Sequence, residues 1–126
     1  MGVRLLAVGA GGALGAVLRY LLTSWVHRLA PAGFPYGTLA VNVAGSLVVG
    51  FVSGVFAART ESREQLMPLF LIVGVCGGFT TFSAFSTETY RLVEQGAVAP
   101  AALNVVLQIA GSLGAVFAGF WLSRQL

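Results

Sequence analysis

Charge is what this sequence has least of. Only 9% of its 126 residues are charged and 57% are hydrophobic, where a soluble domain is about 25% charged. So much apolar surface cannot be hidden in the core of a short chain, which has too much surface for its volume. Cysteine is nearly absent too. The single Cys76 excludes an intrachain disulfide and lacks the partners of a metal site. Lysine is missing, and the seven basic residues are all Arg. A pI near 9.8 would suggest nucleic acid in a soluble protein, but these charges are scattered at helix ends and form no basic patch. Membrane-interface anchoring is the plainer role for them.

What the sequence does have is long apolar runs and 17 glycines. Four segments are long enough to span a bilayer, at residues 3–24, 38–58, 68–90 and 99–122, since a crossing needs about 20 apolar residues. The reading is an all-α integral membrane protein with four transmembrane helices in one unit, 1–126, and short loops. The first segment is expected to be a retained helix rather than a signal peptide: it is too long, and Arg19 stands where a small-residue cleavage site belongs. Glycines suit such a bundle because they let helix backbones approach closely. Four spans put both termini on one side, with Arg4, Arg59, Arg63 and Arg124; Arg28 and Arg91 lie opposite, with Arg19 near that edge. Lys/Arg imbalance sets orientation, and this one is weak. Either a slight bias places the termini in the cytoplasm or the chain inserts both ways.

The third segment carries most of the information. From Gly74 to Ser86 it holds three glycines and four hydroxyl residues within 13 positions. Glycine costs about 1 kcal/mol against Ala inside a helix, and Ser and Thr offer the backbone competing hydrogen bonds. A break near Gly77 to Thr80 is expected; the alternative is an intact helix whose glycines serve packing. Unwound backbone at membrane depth must be buried or line a wet site, and freed carbonyls there suit a small cation. Phe82 and Phe85 follow at a spacing that puts them on one face. They are either ordinary apolar filler or a pair of electropositive ring edges able to replace part of the water shell of a small, hard anion.

Other polar residues in the spans leave similar alternatives. Asn42 either glues two helices or aims an amide donor at an anion. Asn104, Gln108 and Ser112, each four residues from the last, share one helix face and either pack on other polar groups or border a wet path. None is an anionic acceptor. Arg19 either snorkels to the interface or attracts anions at a vestibule. Glu88 either pairs with an Arg such as Arg19 or Arg91, or sits at a pore mouth.

Taken together, the motifs resemble those of the CrcB/Fluc family of bacterial fluoride channels. The first-helix run 11–20, the second-helix start 37–42, the signature Gly77-Gly78-Phe79-Thr80-Thr81-Phe82-Ser83-Ala84-Phe85-Ser86-Thr87-Glu88 and Ala110-Gly111-Ser112 fall in order across all four helices. The resemblance implies a passive fluoride channel in a bacterial inner membrane, built as an antiparallel homodimer with two pores. It implies a structural sodium ion at the dimer centre, held by the backbone carbonyls of Gly77 and Thr80 of each chain. It makes Phe82 and Phe85 the pore-lining aromatic pair, Asn42 a pore donor, Arg19 the first-helix Arg and Ser112 part of a polar track. Thr38, Thr81 and Ser83 are expected beside them as pore hydroxyls. Asn104 and Gln108 depart from the pattern, where relatives often carry an aromatic or smaller hydroxyl residue. The runner-up function is a small multidrug-type proton-coupled cation exporter. That chemistry wants a carboxylate deep in the first helix, which here has only Arg19. No ATP site or catalytic triad is apparent, and enzymatic activity is not expected.

Overall fold

The computed structural model describes residues 1–58 and 66–126. Arg59 and Arg63, counted above with the termini, lie outside the described residues. Within them every regular element is a helix. Helix α1 spans Gly2–Leu29 and α2 spans Tyr36–Ala57. The third helical run, α3, covers residues 66–79 and includes a π-helical stretch at Leu69–Cys76. Helix α4 spans Phe82–Glu94 and α5 spans Val98–Ser123. Residues of α3 and α4 together form the third of four segments long and apolar enough to cross a membrane, so this is a multi-pass membrane protein.

The helices run a few residues past most of the expected limits. The expected break is present, at its far edge. Gly77–Phe79 stay helical, and the chain is extended at Thr80 (φ −80°, ψ 156°) and Thr81 (φ −151°, ψ 113°). The glycines do not unwind; they pack. Gly11 and Gly15 of α1 meet Gly74, Val75 and Phe79 of α3, and an ideal Cβ on Gly74 would lie 2.8 Å from Gly11 Cα. Helices α2 and α5 pair in the same way, with a Cβ on Gly119 falling 2.6 Å from Phe51 N. Two backbones this close gain dispersion contacts that lipid cannot match. At the end of α4, Gly96 takes φ 76°. There Ala97 N–H bonds Leu92 C=O and Gly96 N–H bonds Val93 C=O, a glycine-capped stop that turns the chain into α5.

Burial is inverted relative to a soluble protein. Large apolar side chains are exposed on every helix, among them Trp25 of α1, Val48 of α2, Val73 of α3, Phe82 of α4 and Phe117 of α5, as lipid contact requires. The buried side chains are almost evenly divided between apolar (Val41, Cys76, Phe85, Leu92, Ala101) and polar (Thr38, Thr81, Asn104, Gln108). Buried polar groups in so apolar a chain need partners, and the third span supplies several of them at the break and along the helix that follows it.

Candidate functional site

The break is held open by one side chain. Asn42 of α2 reaches Thr81 and pairs with its backbone on both sides: Thr81 N–H donates to Asn42 Oδ1 at 2.7 Å, and Asn42 Nδ2 donates to Thr81 C=O at 3.0 Å. The amide acts as a substitute strand partner for an extended residue. Thr81 then caps α4, its Oγ1 accepting from Ala84 N–H at 3.1 Å, which satisfies one of the orphan donors at a helix start. On the other side, Thr80 N–H and Oγ1 both donate to Cys76 C=O. These bonds redirect two donors. Thr81 N–H no longer reaches back to Gly77, and Ala84 N–H no longer reaches Thr80. The carbonyls of Gly77 and Thr80 therefore lose their ordinary helical donors.

Beside the break lies an open cleft of about 500 Å³ lined by Asn42, Ser46, Gly77, Thr80, Thr81, Phe82, Phe85, Gln108 and Ser112, among others. The two rings meet edge to face, with centroids 5.2 Å apart at 68°. Phe85 is buried, while Phe82 is 77% exposed on this single chain. A second, more polar cleft of about 430 Å³ is lined by Arg19, Thr81, Ser83, Thr87, Glu88 and Arg91. Thr81 borders both. Two guanidinium groups and several hydroxyls around one carboxylate make the second cleft a place where anions can collect.

Most of the expected site residues thus come together. Asn42, Thr81, Phe82, Phe85, Gln108 and Ser112 line the aromatic cleft with Gly77 and Thr80; Arg19 and Ser83 line the second. Two line neither of these. Thr38 donates to Glu88 Oε1 at 2.7 Å. Asn104, fully buried, donates to Thr89 Oγ1 at 2.9 Å, and Thr89 in turn donates to Phe85 C=O. Glu88 has Thr38 as its hydrogen-bond partner and shares the second cleft with both Arg19 and Arg91. For Asn42 the sequence left helix gluing and anion donation open; in this single chain its two amide protons go to Thr81 C=O and Gln108 Oε1. Sequence reasoning passed over Ser46 and Thr89. Ser46 carried a signal, four residues after Asn42 and so on the same face.

The family model described as CrcB-like protein, Camphor Resistance (CrcB), matches residues 6–120. The chain belongs to the CrcB family. Among its relatives, it is 46% identical over 122 residues to the fluoride-specific ion channel FluC 1 of Nitrobacter hamburgensis, covering 97% of this chain and 96% of that one. It is 44% identical over 124 residues to the fluoride-specific ion channel FluC of Agrobacterium fabrum, covering 98% of each. It is 46% identical over 122 residues to the FluC of Geobacter sulfurreducens, at 97% and 98% coverage. The matched residues of this CrcB-family chain include the whole of α2, the break and both clefts.

Proposed function

We propose that this CrcB-family protein is a fluoride-selective, passive ion channel of the bacterial inner membrane, that it performs no catalysis, and that it lets fluoride leave the cytoplasm and so limits its toxicity. Its relatives are named fluoride-specific ion channels. The single observation that carries the reading is the aromatic cleft, where the Phe82–Phe85 pair stands next to amides and hydroxyls and no carboxylate is among the described lining residues. Fluoride is small and strongly hydrated. Ring edges carry the positive side of the aromatic quadrupole and can stand in for part of the water shell. Hydroxyl and amide donors supply the rest without a fixed positive charge that would hold the ion. Arg19 and Arg91 raise the local anion concentration at the second cleft, and Thr81 links that cleft to the first.

The working unit in this reading is an antiparallel pair of chains. Two features of one chain favour a partner. Phe82 is 77% exposed beside the open cleft. At Gly77 a Cβ would meet only Ile72 O at 3.9 Å, so the chain's own packing does not require glycine there. The residues fit a structural sodium ion on the two-fold axis: Gly77 and Thr80 have carbonyls without their helical donors, and both line the cleft. Carbonyls left unpaired at membrane depth cost several kcal/mol each. When bound, such an ion satisfies these oxygens and adds a positive charge near both pores.

Physiology follows from acid–base chemistry. Hydrogen fluoride crosses lipid as a neutral acid and dissociates inside, and a negative-inside potential drives the anion out through a channel. The test is efflux from liposomes loaded with potassium fluoride. Adding valinomycin should start fluoride release, with little release from chloride-loaded liposomes. Equal chloride flux, or fluoride flux that strictly requires a proton gradient, would reject the reading.

A further inference from the structure

We propose that an apolar groove between α1, α2 and α5 holds one acyl chain of a phospholipid, drawn from the leaflet next to residues 30–36. This lipid site is separate from the anion path. It takes from the channel reading only the face that reading gives to the partner chain.

The groove has a volume of about 530 Å³. Leu39, Ala40 and Val43 of α2 line it, with Tyr36 at its mouth. These four positions, i, i+3, i+4 and i+7, form one stripe of the helix. Small residues make the recess: Ala40 on α2, Ala30 at the end of α1 and Gly111 on α5. Among the described lining residues none is charged, and Tyr36 alone carries a polar side-chain atom.

The face on which the groove opens points to lipid as the occupant. The channel cleft uses Asn42, Ser46 and Val49 of α2 and Gln108 and Ser112 of α5, and the two share no described residue. At 3.6 residues per turn the groove stripe lies roughly 100° away from the cleft residues around α2, and roughly 150° away around α5. A partner chain that covers the channel cleft therefore leaves this groove open to the bilayer.

Depth gives the same answer. Ala30 follows the end of α1 and Tyr36 begins α2, so the mouth lies at the membrane surface. Val43 is seven residues deeper along α2, about 10 Å at 1.5 Å per residue. Half of a bilayer's hydrocarbon core is about 15 Å. The groove is thus too short for a spanning helix of another protein and matches a chain running inward through one leaflet. Phe34 and Tyr36 stack at the mouth with centroids 4.9 Å apart, and Trp25 is exposed beside Val26 of the groove. Aromatic side chains of this kind mark the headgroup level.

An acyl chain also supplies packing that this part of the bundle lacks. Further along α2, glycines seat α5 directly on backbone: Gly50 on Val116, and Gly119 on Leu47 and Phe51. At the groove, a Cβ on Gly111 would meet only the Val43 side chain. An unfilled recess forfeits dispersion contacts on one side, and a flexible chain conforms to it.

The experiment is native mass spectrometry of the full-length protein in mild detergent. The probes are phosphatidylethanolamine and phosphatidylglycerol with identical acyl chains. Wild-type protein should retain one phospholipid per chain, with either headgroup, because no charged side chain lines the groove. Ala40→Phe fills the recess and should lower the ratio of lipid-bound to lipid-free protein by about tenfold or more. Leu107→Trp, on the α5 side of the groove, should do the same and serves if Ala40→Phe does not fold. Val48→Phe, at an exposed position of α2 outside the groove, should keep the lipid. Wild-type retention in both groove variants overturns the proposal, as does equal loss in Val48→Phe, which would make the lipid unspecific. A tenfold preference for one headgroup overturns it by placing recognition outside the groove. A shifted monomer–dimer midpoint in Ala40→Phe overturns it by making the groove a protein contact. None of these readings needs fluoride flux, so failure of the channel reading is seen separately.

Discussion

The two halves of the third span are held by opposite means. Residues 66–79 lie against α1 with glycine on both sides, so backbone touches backbone: Gly78 sits on the backbone of Gly12, and Gly15 on Val75 and Phe79. Past the break, α4 is tethered by polar side chains. Asn42 holds Thr81, Thr38 holds Glu88 and Asn104 holds Thr89. Close glycine packing leaves no room for adjustment and places α3 rigidly. Hydrogen-bonding side chains place α4 directionally and put donors where the chain opens. Scaffold and site are thus adjacent lengths of one span, divided at Thr80–Thr81.

The largest expected effect breaks the scaffold half. An ideal Cβ on Gly15 would lie 2.8 Å from Phe79 N, which is backbone and cannot swing aside. Gly15→Leu should abolish recovery of folded protein, measured as a monodisperse peak in detergent. A well-folded Gly15→Leu variant would show that α1 and α3 are not locked. The next effect strikes the site half alone. Phe82→Ile and Phe85→Ile keep apolar bulk and remove the ring edge, and each should lower fluoride flux about tenfold or more, equivalent to about 1.4 kcal/mol of barrier, without loss of folded protein. Normal flux in both would make the rings filler. The smallest effect sharpens the boundary. Gly77 lies in the first half, close to the boundary, and its Cβ would meet only Ile72 O, at 3.9 Å. Gly77→Leu should leave each chain folded while weakening pairing by about tenfold in Kd, about 1.4 kcal/mol, as read by a shift in the monomer–dimer midpoint in lipid. An unchanged midpoint would place the partner surface elsewhere.

The scaffold was readable in the sequence because it is local. Four apolar runs of the right length and a cluster of glycines and hydroxyls in the third are sufficient to specify four spans and an interruption. The position of the interruption was less readable. Gly77 and Gly78 look like the weak point by helix propensity, yet Gly78 is used against α1 and stays helical. The extended residues are Thr80 and Thr81, because Asn42 offers Thr81 a better partner than a helix would. That partnership joins residues 39 apart in the chain, and no local pattern reveals it. For the same reason the sequence leaves Asn42 open between a helix-gluing amide and a free donor and makes Gln108 a departure from the pattern, whereas in the fold both Asn42 amide protons go to acceptors of the chain and Gln108 Nε2 is left without a partner among the described residues. The i, i+4 stripe of Asn104, Gln108 and Ser112 was legible as a face, but its division was not: Gln108 and Ser112 line the cleft while Asn104 turns to Thr89.

The central claim is that the cleft at the break passes fluoride and rejects other halides. Its most direct test is the reversal potential across a bilayer containing the purified protein, with fluoride on one side and chloride on the other. The account expects the potential to follow the fluoride gradient, moving by about 59 mV for each tenfold change in fluoride at 25 °C, and to ignore tenfold changes in chloride. A reversal potential that tracks chloride, or one that moves only with pH, would contradict it.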